Sequence, residues 1–200
     1  MTTPTTTFDD AVLRAIEKWP NVPHCFDWLS LDRRGYWLIK GAPITHERAT
    51  AFIARHYARD AHGRWFVQNG PQRVFCGLAY TPFVYRLTVE LGFTTHTGAA
   101  CEKVSRIRLD ELGNILLETE FGIGLIDDRD LVQVSTAIDA QNSIDWFDFE
   151  TISQAVQQNE NLTLSLTDNK IALDTINSKD VASVYQFDAN PSARKDEIVR

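Results

Sequence analysis

The sequence has no apolar run approaching the roughly 18 residues that a membrane-spanning helix needs. Its first ten residues, Met1 to Asp10, are Thr-rich and have neither the basic start nor the apolar stretch of a secretory signal. These absences predict a soluble, unexported, cytoplasmic protein. Cysteine is scarce, three in 200 residues, and in that compartment it reads as reduced thiol. There is no excess of positive charge: 27 Asp and Glu against 20 Lys and Arg leave −7, which speaks against nucleic acid or an anionic membrane as a partner of the whole protein.

The signatures of common chemistries are missing too. Neither the phosphate-binding G-x-x-x-x-G-K-[ST] nor the dinucleotide G-x-G-x-x-G occurs, and Gly122-Ile123-Gly124 runs into acidic residues that would repel phosphate. His24-Cys25, Cys76, and His96 with Cys101 form no C-x-x-C or H-x-x-x-H pair. No metal, no cofactor and no catalytic residue is therefore expected. The acidic group Asp127, Asp128 and Asp130 sits at a predicted helix start, where carboxylates cap free N–H groups more readily than they hold Mg²⁺.

What is present is ordinary globular composition, 44% apolar and 10% aromatic, with an internal repeat. Asp32-Arg33-Arg34-Gly35-Tyr36-Trp37 and Asp60-Ala61-His62-Gly63-Arg64-Trp65 are both D-x-x-G-x-W followed by two apolar residues. With 10 Gly and 5 Trp in the chain, its 17 Asp would yield about 0.02 such matches by chance, against two observed. A third copy, Asp110 to Leu117, keeps all but the Trp. The physical reading is a hairpin turn. The Asp carboxylate accepts from the turn's own backbone, and the Gly takes the positive-φ position of a type I turn with a G1 bulge. A shorter fourth turn is expected at Thr167 to Lys170. Helix starts follow three of these hairpins, at Ile44-Thr45-His46, Ile126-Asp127-Asp128 and Ile176-Asn177-Ser178, giving a ββα unit used three times. Further helices are predicted at Asp9 to Trp19, with Val12, Leu13 and Ile16 inward, and near Phe149 to Gln157. The first hairpin's helix should bury Ala49, Phe52 and Ile53, and the next Leu131, Val134 and Ile138.

The fold class is α+β: repeated ββα units, antiparallel hairpin-rich sheets with helices on one side, in a duplicated arrangement. The expected boundaries are an N-terminal domain over 8–91, a second ββα domain over 92–140, a C-terminal extension over 141–187 and a flexible tail over 188–200. The polar stretch Asp139 to Phe147 is the linker candidate.

Charge is unevenly divided. Residues 1–100 carry 11 Lys and Arg against 8 Asp and Glu, or +3, and residues 101–200 carry 9 against 19, or −10. Arginines of the first half lie beside aromatics, as at Trp37, Arg64, Trp65 and Arg73, and a guanidinium with an aromatic face suits a nucleotide-like anion. The same tryptophans also fit a hairpin core with arginines lying over it. The loop Thr95-His96-Thr97-Gly98 offers hydroxyls, an imidazole and a glycine N–H to an anion, or is a plain turn.

From Trp28 to about Ala137 the order of features resembles a bacterial family catalogued as a domain of unknown function, the family 1285-like group. The residues that carry the resemblance are the Asp32 to Trp37 turn, Gly41-Ala42-Pro43-Ile44, Gln72-Arg73-Val74, Pro82-Phe83, the Phe93 to Gly98 loop and the strand into Ile126-Asp127. The resemblance implies a duplicated two-domain α+β fold and a C-terminal half like pleckstrin-homology domains. It also implies an interdomain cleft for a nucleotide-like ligand in signalling. Tyr80 stands where that family tends to be acidic, and His96 where it tends to have Asn. The leading expectation is thus a cytoplasmic small-ligand binding or signalling protein. The alternatives are a protein-protein interaction module, and an enzyme whose His/Cys or Asp site forms only in the fold.

Overall fold

The computed structural model describes residues 7–90, 92–139, 148–158, 162–166, 169–195 and 197, with backbone alone for 137–139, 165–166 and 169. The linker candidate from residue 140 on, the fourth turn's tip at 167–168 and the Ile138 side chain lie outside these. The described residues divide into two compact units, one formed by 7–82 with those from 186 on and the other by those between 83 and 185. The boundaries therefore fall elsewhere than the sequence suggests, because the last residues return to the first unit.

The first unit begins with α1 (Asp10–Lys18), in which Val12 is buried but Leu13 faces solvent, contrary to expectation. Two three-strand meanders follow. They are β1 (Cys25–Leu31), β2 (Trp37–Ile39) and β3 (Ala42–Pro43), then, after α2 (Glu47–Arg55), β4 (Tyr57–Arg59), β5 (Trp65–Asn69) and β6 (Gln72–Leu78). They join through a parallel pairing of β1 with β6, giving the order β3-β2-β1-β6-β5-β4.

The second unit repeats this scheme with β7 (Phe83–Leu87), β8 (Phe93–Thr95) and β9 (Ala100–Cys101), then β10 (Val104–Leu109), β11 (Ile115–Thr119) and β12 (Gly122–Ile126). The first and last of these six strands, β7 and β12, again pair in parallel. Here the helix comes after the second meander, as a 3-10 turn at Asp128–Asp130 and α3 (Leu131–Asp139). Next come α4 (Phe149–Gln157), β13 (Thr163–Leu166) and β14 (Asn169–Thr175), then a second 3-10 turn and α5 (Val181–Val184). Strand β14 adds to β10 in parallel, so the eight-stranded order is β13-β14-β10-β11-β12-β7-β8-β9. The fold is α+β and duplicated. Its sheets are mixed where antiparallel ones were expected, and the repeated unit has a third strand, β3 or β12, before its helix.

All three sequence copies form the same turn. The Oδ1 atoms of Asp32, Asp60 and Asp110 each accept two backbone N–H groups, at residues +2 and +4, at 2.8–2.9 Å. Gly35, Gly63 and Gly113 sit at φ +80°, +82° and +77°, as a G1 bulge requires. The missing copy is between β7 and β8. There Thr88 replaces Asp, its hydroxyl accepting from Gly92 N at 3.1 Å while its N–H donates to Gly92 O at 2.9 Å.

Candidate functional site

The repeat places its two tryptophans at equivalent positions, and both close on Tyr57. Trp37 meets that ring edge-on at 4.9 Å and Trp65 stacks on it at 4.7 Å. All three are buried, with the Tyr57 hydroxyl donating to Pro82 O at 3.1 Å. Such ring pairs add roughly 0.5–1.5 kcal/mol each beyond the area they bury. Neither tryptophan face is open to a base, so the stacking role read from the sequence gives way to a core role.

Arg64 is equally committed. Nε binds Asp60 Oδ2 at 2.8 Å, and Nη1 and Nη2 take the two Glu197 carboxylate oxygens at 2.9 and 2.5 Å. Nη1 also donates to Ser192 O at 3.2 Å. Its guanidinium lies 4.3 Å over Phe75, which stacks on Phe26 at 4.5 Å. Glu197 therefore occupies the bidentate position that the sequence reading offered to an anionic ligand, and its hydrogen bonds to Arg64 hold its own pKa down at about 2. Arg73 lies 4.7 Å over the buried Phe66 ring.

The other four candidates, Thr95, His96, Thr97 and Gly98, belong to the second unit and form a closed turn between β8 and β9. The Thr95 hydroxyl accepts from Ala99 N at 3.1 Å and shares a hydrogen bond with the Thr97 hydroxyl at 2.7 Å. Gly98 N–H donates to Thr95 O at 2.9 Å instead of facing outward. His96 is half-buried and packs on Phe83, with Nδ1 accepting from Val84 N at 3.3 Å, and desolvation of the ring pushes its pKa down to about 3. A neutral imidazole in this place serves the turn. The eight candidates thus divide four and four between the units, and the polar groups with resolved hydrogen bonds are directed at the protein itself.

Of the acidic group near α3, Asp127 caps the helix start as its position predicted, while Asp130 binds β7 instead. Asp127 caps Arg129 N at 3.0 Å and binds the Arg129 side chain, and Asp130 pairs with Arg86 at 2.6 Å and accepts Leu87 N at 2.9 Å. At α2, by contrast, the cap is His46 rather than Thr45: His46 Nδ1 accepts Ala49 N at 3.4 Å. Among the described residues no group of three or more His, Cys, Asp or Glu is arranged to hold a metal ion. Burial pushes the Cys101 thiol up to about 12 and raises Cys76 further, which disfavours thiolate chemistry at both.

A groove of about 580 Å³ lies between α2 and the sheet of the first unit. Its floor comes from Cys25 and Leu29 of β1, Ile39 of β2, and Val67 and Val74 of β5 and β6. These share one face by register, since Leu29 pairs with Ile39 and Val74 with both Cys25 and Val67. The roof is the apolar side of α2, Ala49, Phe52 and Ile53, with Ile44 before it. All three are half-buried and α2 has no fully buried residue, so the helix stands off the sheet. Trp28, 48% exposed, forms part of the rim. The polar groups are two amides, Asn69 and Gln72; the Gln72 Nε2 donates to Pro23 O at 2.8 Å, leaving its oxygen as an acceptor. No lining residue is charged. Sequence reasoning named Ala49, Phe52 and Ile53 as helix core, but not as the lining of a cavity. Its lining is drawn from separated segments between Cys25 and Val74, and no single periodic segment contains it.

Residues 8–192 match the family model DUF2944, described as "Protein of unknown function (DUF2946)". The chain belongs to this family. Among solved structures, this DUF2944 chain is similar to a DUF1285 family protein from Silicibacter pomeroyi DSS-3. The TM-score is 0.51 at 16% identity, covering 88% of this chain and 92% of that one. A DUF1285 family protein from Shewanella baltica OS155 aligns with a TM-score of 0.42 at 14% identity, over 55% of this chain and 91% of that one. No curated protein matches the DUF2944 chain. The first likeness shows a shared fold, in agreement with the resemblance carried by the order of motifs in the sequence.

Proposed function

We propose that the chain is a non-enzymatic small-molecule-binding protein whose site is the groove under α2. The observation that carries this reading is an uncharged, largely apolar cavity of about 580 Å³, within the roughly 300–1,000 Å³ typical of ligand sites. Its chemistry fits an apolar or aromatic body bearing one hydrogen-bonding group, which Asn69 or the Gln72 oxygen would read. A nucleotide-like anion, the ligand expected from the sequence, finds no cation in this groove. The signalling expectation survives in a modified form: a helix with no buried anchor of its own takes a position set by what fills the space beneath it. The three cysteines, all free thiols, support a reducing, cytoplasmic setting. A protein partner inserting an apolar side chain is the second reading, favoured by the exposed Trp28 and Ile39 at the rim.

Titration with the neutral fluorophore N-phenyl-naphthylamine, alongside thermal unfolding with apolar and nucleotide panels, tests the proposal. A ligand at 100 times its Kd stabilises by about 2.7 kcal/mol. Apolar compounds should shift unfolding and displace the dye while nucleotides leave both unchanged. The reverse pattern would overturn the reading.

A further inference from the structure

The six-stranded sheet has a second cavity, of about 420 Å³, on its other face. Ser30, Phe75 and Gly77 form its floor and alternate along β1 and β6 with the groove residues Leu29 and Val74. Its walls are the β1 bulge at Asp27 and Trp28, and the turn Lys40-Gly41. Over it passes the returning C-terminal segment, at Asn190 to Ser192.

Three features set this cavity apart. First, it is lined by one charged side chain of each sign, Asp27 and Lys40. Among the described residues, the Asp27 carboxylate and the Lys40 ammonium form no ion pair, and Lys40 Nζ rests 3.9 Å over the Trp28 ring. This contrasts with Arg64 and Thr95, whose polar atoms are bound within the protein. Second, two of the three described non-glycine residues with positive φ line it, Asp27 at +61° and Lys40 at +47°; the third, Gln186 at +54°, lies where the C-terminal segment returns to this unit. Left-handed backbone at such residues is unfavourable and collects at ligand clamps. In β1 the strain accompanies a register shift between Cys25 and Leu29, which interrupts the pairing with β6 at Asp27 and Trp28, while Trp28 O still accepts Lys40 N at 2.8 Å. Third, the segment is strapped down at both ends. Asp188 N donates to Gly63 O at 3.0 Å and Leu78 N to Ala189 O at 2.8 Å, while Arg64 holds Ser192 O and Glu197.

We propose that this cavity is a binding site for a small zwitterion with an apolar side group, an amino acid in chemical class, and that the Arg64–Glu197 pair holds the strap closed over it. Asp27 receives the ammonium, Lys40 the carboxylate, and the exposed Trp28 the side group. One fixed charge of each sign makes the site neutral, so a polyanion gains at Lys40 what it loses at Asp27. The inference does not rest on the groove under α2, with which this cavity shares Trp28 and Leu29.

Calorimetric titration of the full chain with L-phenylalanine and L-leucine tests it, with N-acetyl-L-phenylalanine (no ammonium) and L-phenylalaninamide (no carboxylate) as controls and adenosine monophosphate as the competing class. Saturable binding of a free amino acid is expected, with both derivatives at least about tenfold weaker. Asp27→Asn should abolish the discrimination against the N-acetyl derivative, and Lys40→Asn that against the amide. Asparagine tolerates left-handed backbone, so both variants fold. Glu197→Gln should weaken binding and speed tryptic cleavage at the exposed Arg194 and Lys195, cleavage that the amino acid slows in the unaltered chain. The proposal falls if neither amino acid binds, if the derivatives bind equally well, if both Asn variants keep the original preferences, or if adenosine monophosphate binds more tightly.

Discussion

Arg64 donates to both carboxylate oxygens of Glu197, a residue 133 positions further along the chain. The pair turns a polar, aperiodic terminus into part of the first unit, and it is pH-dependent. The folded state holds Glu197 as a carboxylate, with a pKa near 2 against an ordinary value of 4.5. Its contribution is therefore complete above about pH 4.5 and is lost as pH falls through about 2. A shift of that size corresponds to roughly 3 kcal/mol. Protection factors against hydrogen exchange at Asp188 and Arg194 N–H should fall between pH 4.5 and 2 in the original chain, and should already be low at pH 6 in Glu197→Gln. Equal protection in both would dissociate the pair from the hold on the segment.

The repeated turn supplies its own control. Gly63 and Gly113 have nearly the same φ, +82° and +77°. A Cβ at Gly113 meets nothing within 4 Å, while one at Gly63 runs into the Gln186 carbonyl and comes within 3.1 Å of Phe187 Cα. Gly113→Ala carries only the left-handed strain, about 1 kcal/mol. Gly63→Ala adds displacement of the C-terminal segment and should cost roughly 2 kcal/mol more. Urea unfolding of the two variants gives the comparison; equal losses would mean that the segment yields freely.

These residues also mark what was legible in the sequence. The Asp32, Asp60 and Asp110 turns were readable because an Asp accepting from its own turn and a Gly at positive φ are local requirements, expressed within six residues. The degenerate copy at Thr88 to Gly92 was hidden because a hydroxyl replaces the carboxylate. The two-residue β3 is too short for any alternation, and the docking of Gln186 to Glu197 rests on backbone hydrogen bonds and one ion pair, which leave no hydrophobic period. Arg64, Trp65 and Thr95 were singled out as ligand contacts, but hydrogen-bonding capacity read from composition does not say whether the partner is a ligand or the protein. Burial decided that.

His96 gives a second pH dependence, of a different group and range. Desolvation of the ring lowers its pKa from 6.5 to about 3, so the unfolded chain takes up a proton there that the folded chain refuses. Its contribution is complete above pH 6.5 and declines as pH falls toward 3, by up to about 1.4 kcal/mol per pH unit. His96→Asn removes the titration. Stability measured in urea at pH 7 and pH 5 should fall less for the variant than for the original chain by roughly 2 kcal/mol. Identical slopes would show that the ring ionises in place.

Filling the groove distinguishes a ligand site from an imperfectly packed helix. Ala49 lies on the half-buried side of α2 and lines the cavity, and Ala51 on the same helix is exposed. Ala49→Phe places an aromatic ring in space that is otherwise open to water. It should raise stability by roughly 1 kcal/mol through added apolar burial while abolishing N-phenyl-naphthylamine binding. Ala51→Phe should leave both nearly unchanged. If Ala49→Phe instead destabilises the fold and the dye still binds, α2 already packs as closely as it can, and the ligand site must be sought elsewhere.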